Sequence, residues 1–83
     1  MEQTLKTFKT LQDIQCKALE KKSVDSFFLD IFMSHDCGPV ISVSAYKTED
    51  FEDDSKSVVN RIYTDTPAET VERIINNLKA LCL

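Results

Sequence analysis

The sequence predicts an α+β fold: a two-layer α-β-β-β-α sandwich, in which a three-stranded antiparallel meander carries both helices on one face. Three observations predict it. Two apolar runs, from Ser26 to Lys47, alternate on either side of His35-Asp36-Cys37-Gly38-Pro39; Phe27, Leu29, Ile31 and Met33 form one series and Ile41, Val43 and Ala45 the other. Successive side chains of a strand point to opposite faces, so each run has one face that seeks a core. The two ends of the chain instead repeat their apolar residues with a helical period. Finally, the strand-like runs are joined by short connections, which favours antiparallel neighbours.

The first helix is predicted over residues 2–21. At 100° per residue Leu5, Phe8, Leu11, Ile14, Ala18 and Leu19 fall on one half of the wheel, and Lys6, Lys9, Asp13, Lys17 and Glu20 on the other. Glu2 near the start and Lys21 and Lys22 at the end suit the helix dipole. Cys16 lies at the edge of the apolar half. Ser23-Val24-Asp25 connects to the first strand, residues 26–34. The only glycine and one of the two prolines mark the reversal, where turn geometry requires them. The second strand is expected over 40–47.

Residues 48–55, TEDFEDDS, read as an acidic loop with low strand propensity. A third strand, rich in β-branched residues, is predicted from Lys56 or Ser57 to Thr64. Its inward face stays open, because Val58 with Ile62 and Val59 with Tyr63 are both apolar. The last helix is predicted from Pro67 nearly to Leu83. Thr66 can cap it, Pro67 suits its first position and Glu69 completes a capping box. Val71, Ile74, Ile75, Leu78, Leu81 and Cys82 then share one narrow face.

Eighty-three residues make one domain, 1–83. No uncharged apolar run approaches the ~20 residues that span a bilayer, and the N-terminal residues lack the apolar core of a signal peptide. The expectation is therefore a cytoplasmic protein without a membrane partner. Three cysteines, an odd number and without C-x-x-C spacing, agree with a reducing compartment. A single histidine leaves few zinc ligands, and no metal or other cofactor is expected.

The net charge of −4 is unevenly spread. Residues 1–22 hold five lysines against three acids, whereas Glu49, Asp50, Glu52, Asp53 and Asp54 surround Phe51 with no base. An acidic chain is repelled by nucleic acid unless a basic patch overrides the mean. The lysines of the first helix are the one such patch, and binding through them is a minor alternative. The acidic run reads either as a solvated loop or as a recognition element for a basic partner, with Phe51 as its anchor. A cation site is disfavoured, since EF-hand spacing and a glycine for the bend are both missing.

If both helices cover one sheet face, the other carries Phe28, Asp30, Phe32, Val40, Ser42, Ser44 and Tyr46. Phe28, Phe32 and Tyr46 on a wet face predict a docking surface for a protein or for a second copy. The plainer alternative is that the sheet curls, or the acidic loop folds over, and encloses them. A nucleobase-stacking platform would need a positive groove, and these strands carry Asp25, Asp30 and Asp36 against Lys47 alone.

His35, Asp36 and Cys37 contain the parts of a nucleophilic site, but adjacent turn residues diverge and a turn tip has no water-excluding pocket. No phosphate loop, nucleophile–base pair or metal set is visible, so an enzyme is not expected.

The order α-β-β-β-α resembles that of double-stranded-RNA-binding domains over nearly the whole chain. Their loop between the first two strands carries a G-P-x-H-type motif, whereas here Gly38-Pro39 is followed by Val40 and Ile41, with His35 before it. Their second helix opens with a K-K-x-A-K-type run, whereas here the stretch is Thr66-Pro67-Ala68-Glu69-Thr70-Val71-Glu72, which is acidic. The resemblance implies a fold class, and no RNA-contacting residue carries over. In character, a small acidic chain with a carboxylate-rich loop also resembles phage-encoded inhibitors of host nucleases, including anti-CRISPR proteins.

The expected function is a small acidic protein-binding module for a partner with a basic surface, with an inhibitor of a nucleic-acid-handling enzyme as its concrete form. Its candidate contacts are Glu49, Asp50, Phe51, Glu52, Asp53 and Asp54, with Phe28, Phe32 and Tyr46 as a second patch. A homo-oligomeric accessory protein pairing through the open face is the alternative.

Overall fold

The computed structural model describes residues 2–47 and 57–83; the acidic run 49–54 lies outside the described residues. The elements are α1 (Glu2–Lys21), β1 (Ser26–Ser34), β2 (Gly38–Tyr46), β3 (Ser57–Ile62) and α2 (Ala68–Cys82). The three strands form one antiparallel sheet in the order β1-β2-β3. Both helices lie against one of its faces, as the hydrophobic patterns require.

The core is centred on β2. Ile41, Val43 and Ala45 are fully buried and join Leu11, Ile14 and Ala18 of α1, Ile62 of β3, and Ile74, Leu78, Leu81 and Cys82 of α2 in one cluster. α1 meets β1 and β2, α2 meets β3, and the helices meet each other. An amphipathic helix and a half-apolar sheet can each lose their apolar face to water only against the other, and this is what fixes the layering.

The buried stripe of α1 is narrower than its apolar half. Thr7, Leu11, Ile14 and Ala18 are buried, while Leu5 and Leu19 are exposed. At 100° per residue, Leu19 and Leu5 lie roughly 100° and 140° round the helix from Ala18, beyond the strip that touches the sheet. Thr7 lies within that strip and is enclosed despite its hydroxyl. Gln15 ties the helix to the edge strand, its Nε2 donating to the Phe27 carbonyl at 3.5 Å.

α1 ends in a Schellman arrangement. Ser23 N–H donates to the Ala18 carbonyl at 3.2 Å and Lys22 N–H to the Leu19 carbonyl at 3.4 Å, so two of the last carbonyls are satisfied. Lys22 takes φ 54° to close it, a conformation strained for any residue with a Cβ. Ser23 Oγ is buried beside it with no hydrogen-bond partner.

In the β1–β2 hairpin Ser34 pairs with Gly38 and Phe27 with Ala45. β2 begins at Gly38, two residues before its expected start, because the pairing with β1 continues to the turn. Gly38 has φ 75°, and Cys37 N–H donates to Ser34 Oγ at 3.4 Å across the turn. β3 no longer runs alongside β2 at Pro39, so the proline, which lacks an N–H, sits where β2 has a single neighbour.

The register resolves β3. Ala45 pairs with Val58, Val43 with Asn60 and Ile41 with Ile62, so Val58, Asn60 and Ile62 share the inward face and Val59 and Arg61 point outward.

The start of α2 departs from the capping box. Pro67 occupies the N-cap position, and no side chain caps the helix. Thr66 turns back instead: its Oγ1 accepts from Tyr63 N–H at 2.8 Å and its N–H donates to the Tyr63 carbonyl at 3.1 Å. The hydroxyl thus closes the turn out of β3, and the helix relies on Pro67 preset φ and on Glu69 in its first turn.

Two substitutions test the backbone argument. Lys22→Gly removes the left-handed strain and should stabilise the fold by about 1 kcal/mol. Gly38→Ala meets no atom within 4 Å of the new Cβ, so its cost is conformational alone, about 1 kcal/mol in the opposite direction. Thermal melts should move in opposite senses by several degrees each; equal or same-sign shifts would contradict these assignments.

Candidate docking face

The sheet face away from the helices is built from every second residue of three strands. Register sets it out in rows. Ser26, Tyr46 and Ser57 align, then Phe28, Ser44 and Val59, then Asp30, Ser42 and Arg61, then Phe32 and Val40. One residue past the end of β3, Tyr63 continues the row of Phe32 and Val40.

Its large side chains are not enclosed. Val59 is 75% exposed, Phe28 53%, Phe32 39%, Tyr46 38% and Tyr63 36%. Among the described residues, sheet curvature does not enclose the rings at 28, 32 and 46; the alternative that the acidic loop folds over them falls on residues outside the described ones. Val40 is the exception, 1% exposed yet outside the main core cluster. Phe32 and Tyr63 flank it in the register, so the face holds a small apolar patch of its own at that end.

Between Tyr46 and Val40 the middle column is low and the outer columns are tall. Ser44 and Ser42 floor a shallow trough along β2; Phe28 and Phe32 wall it on β1, and Val59, Arg61 and Tyr63 on β3. Charge is confined to one row, with Asp30 and Arg61 on opposite sides of Ser42. Two strand spacings, roughly 10 Å, separate their backbones, and neither takes part in an ion pair; the pair formed among the described residues is Lys17–Asp13, within α1. The face as a whole is neutral while the chain carries −4.

Of the nine residues named as contacts from sequence, the structure brings Phe28, Phe32 and Tyr46 onto this face. Glu49, Asp50, Phe51, Glu52, Asp53 and Asp54 lie outside the described residues. Val59, Arg61 and Tyr63 were not anticipated. The signal was present in the third strand: one facing buries Asn60 between two aliphatic residues, the other buries Arg61 between Val59 and Tyr63. Enclosing a guanidinium costs far more than enclosing an amide.

Elsewhere the chemistry is sparse. His35, Asp36 and Cys37 are exposed at the hairpin tip, and the described residues contain no group of three or more potential metal ligands. A cleft of about 150 Å³ lies where Gln3, Thr4 and Thr7 of α1 approach Thr66 and Val71, below the roughly 300 Å³ at which small-molecule pockets begin. Among the described residues no helix is long and apolar enough to cross a membrane.

The three thiols differ in environment. Cys16 and Cys37 are exposed and Cys82 is buried. Burial pushes the Cys82 thiol up, an effect that nearby Lys47 partly offsets. A thiol reagent under native conditions should therefore modify two cysteines promptly and the third only as the fold opens. Because folding holds the Cys82 proton more tightly, this group should leave stability unchanged at neutral pH and lower it as pH rises through the thiol range. Cys82→Ala should flatten that alkaline decline in urea titrations; an unaltered decline would assign it elsewhere.

No protein-family model matches the chain, and no curated protein or solved structure does either, so function has to come from the chemistry of the outer face and from the charge of the chain.

Proposed function

We propose that this chain is a small acidic protein-binding module that docks through the outer face of its sheet. The observation that carries this is the grouping of Phe28, Phe32, Tyr46, Val59 and Tyr63 on one face, each at least one-third exposed. Isolated apolar residues on a surface need no explanation, but a contiguous set marks an interaction site. Aromatic rings supply large contact area at little rotamer cost, which is why they dominate binding energetics.

Charge supports a division of labour. The outer face is neutral and suits burial, whereas residues 49–54 concentrate five carboxylates in the chain between β2 and β3. A basic surface is the complement of that run, and long-range attraction would speed encounter. An inhibitor that occupies the nucleic-acid-binding surface of an enzyme is the concrete form of this function. The chain itself would not bind nucleic acid, which its net charge repels.

Neutralising the five carboxylates to Asn and Gln should abolish capture of the basic partner while leaving the melting temperature nearly unchanged, and duplex DNA should displace the captured partner from the unaltered protein. Capture that survives both treatments would remove the acidic run and the nucleic-acid-enzyme assignment together. Phe28→Ser and Val59→Ser should each cost less than about 1 kcal/mol of stability, as exposed positions do, against roughly 2–5 kcal/mol for Leu78→Ala in the core. Urea denaturation distinguishes the two classes, and a core-sized loss at Phe28 would mean that its ring is structural.

A further inference from the structure

We infer that the outer sheet face binds a second copy of this chain, the two sheets stacked face to face about a twofold axis parallel to β2. The inference rests on the assignment of that face as a docking surface and names its occupant.

The charge pattern carries it. The face has one negative position, Asp30 on β1, and one positive position, Arg61 on β3, level with each other across Ser42. Attraction for a basic partner belongs to the acidic run 49–54 and not to this face. This face is instead a neutral pair of opposite charges, left and right of its midline, and such a pattern is complementary to itself. A twofold axis parallel to β2 exchanges the β1 and β3 sides and preserves the rows. Asp30 then lies over Arg61 of the second copy, and Arg61 over its Asp30, giving two equivalent pairs. The same operation sets Phe28 against Val59 of the second copy and Phe32 against its Tyr63. A twofold axis across the strands and through this row would place Asp30 over Asp30 and Arg61 over Arg61, which is repulsive. Among the described residues the charged row therefore favours this axis over one across the strands, as a self-complementary interface requires.

Shape agrees. Aligned stacking of twisted sheets brings their inner faces to roughly 10 Å, filled by side chains from both. Low Ser42 and Ser44 leave room at mid-face, so the contacts come from the outer columns and from Tyr46, which the axis sets against Tyr46 of the second copy. The face measures roughly 15 Å by 25 Å from strand spacing and rise. It is small beside the usual ~800 Å² per partner, which puts the dimer in the weak class, with a dissociation constant on the order of tens of micromolar.

Sedimentation velocity on the full chain from about 5 to 500 µM brackets that affinity. The unaltered protein should move from monomer to dimer within this range. Asp30→Arg and Arg61→Asp should each weaken association at least tenfold, as like charges then face each other at both pairs. An equimolar mixture of these two variants should dimerise again, because each supplies the charges that the other lacks; this recovery also shows that both are folded. Phe32→Glu should be monomeric with an unchanged circular dichroism spectrum. A protein that stays monomeric at 500 µM overturns the inference. So does a dimer that ignores the charge reversals, or variants whose mixture stays apart. If the chain is monomeric but Phe28→Ser and Phe32→Glu still abolish capture of another protein, the docking assignment stands and its occupant is that protein. If neither self-association nor capture responds to these changes, both fall.

Discussion

The burial of one face of β2 is the constraint from which the rest follows. Ile41, Val43 and Ala45 have no contact with water, and β2 is the one strand with a neighbour on each side. Its inward column must be covered along its whole length, and among the described residues the two helices supply most of the apolar cover. α1 brings Leu11, Ile14 and Ala18, and α2 brings Ile74, Leu78, Leu81 and Cys82. In a chain of this length little surplus burial is available, so neither helix can be spared for the second face.

That economy creates the outer face. With both helices committed, the alternate residues of the strands, Val40 excepted, are left partly or wholly to solvent, and the main core no longer dictates their identity. The middle of the central column responds as a wet surface should, with Ser42 and Ser44 between Val40 and Tyr46. The outer columns do not: Phe28 and Val59 are more than half exposed, and Phe32 and Tyr63, beside buried Val40, still leave more than one-third of their surface to water. An aromatic ring retained where it contributes little to the core gains most when something covers it. In the proposed dimer the neutral Asp30–Arg61 row would add orientation, since charges placed across an interface govern register more than affinity.

The connections show what the layering demands of the backbone. The tight exit from α1 needs a left-handed residue, and Lys22 supplies it without the freedom of glycine. Ser23 Oγ is enclosed unpaired beside it, a cost of a buried hydroxyl that loses its water. The turn out of β3 takes the Thr66 side chain from the helix end that local sequence suggests. A hydroxyl can accept from whichever N–H the chain brings within reach, and Tyr63 N–H is held there by the strand.

Local chemistry determined much of this protein from the sequence alone. Period-two and period-3.6 patterns are properties of backbone geometry, so the five elements, their order, the meander and the shared helix face were legible without coordinates. Phe28, Phe32 and Tyr46 followed from the same parity. Only the tertiary structure decided what depends on partners across the sheet. β3 has apolar residues on both faces, and its facing came from register against Val43, which placed Val59, Arg61 and Tyr63 on the outer surface. The width of the α1 stripe was likewise set by its contact with the sheet, which enclosed Thr7 and left Leu5 and Leu19 in water. Burial is a relation between elements, and a pattern within one element can only propose it.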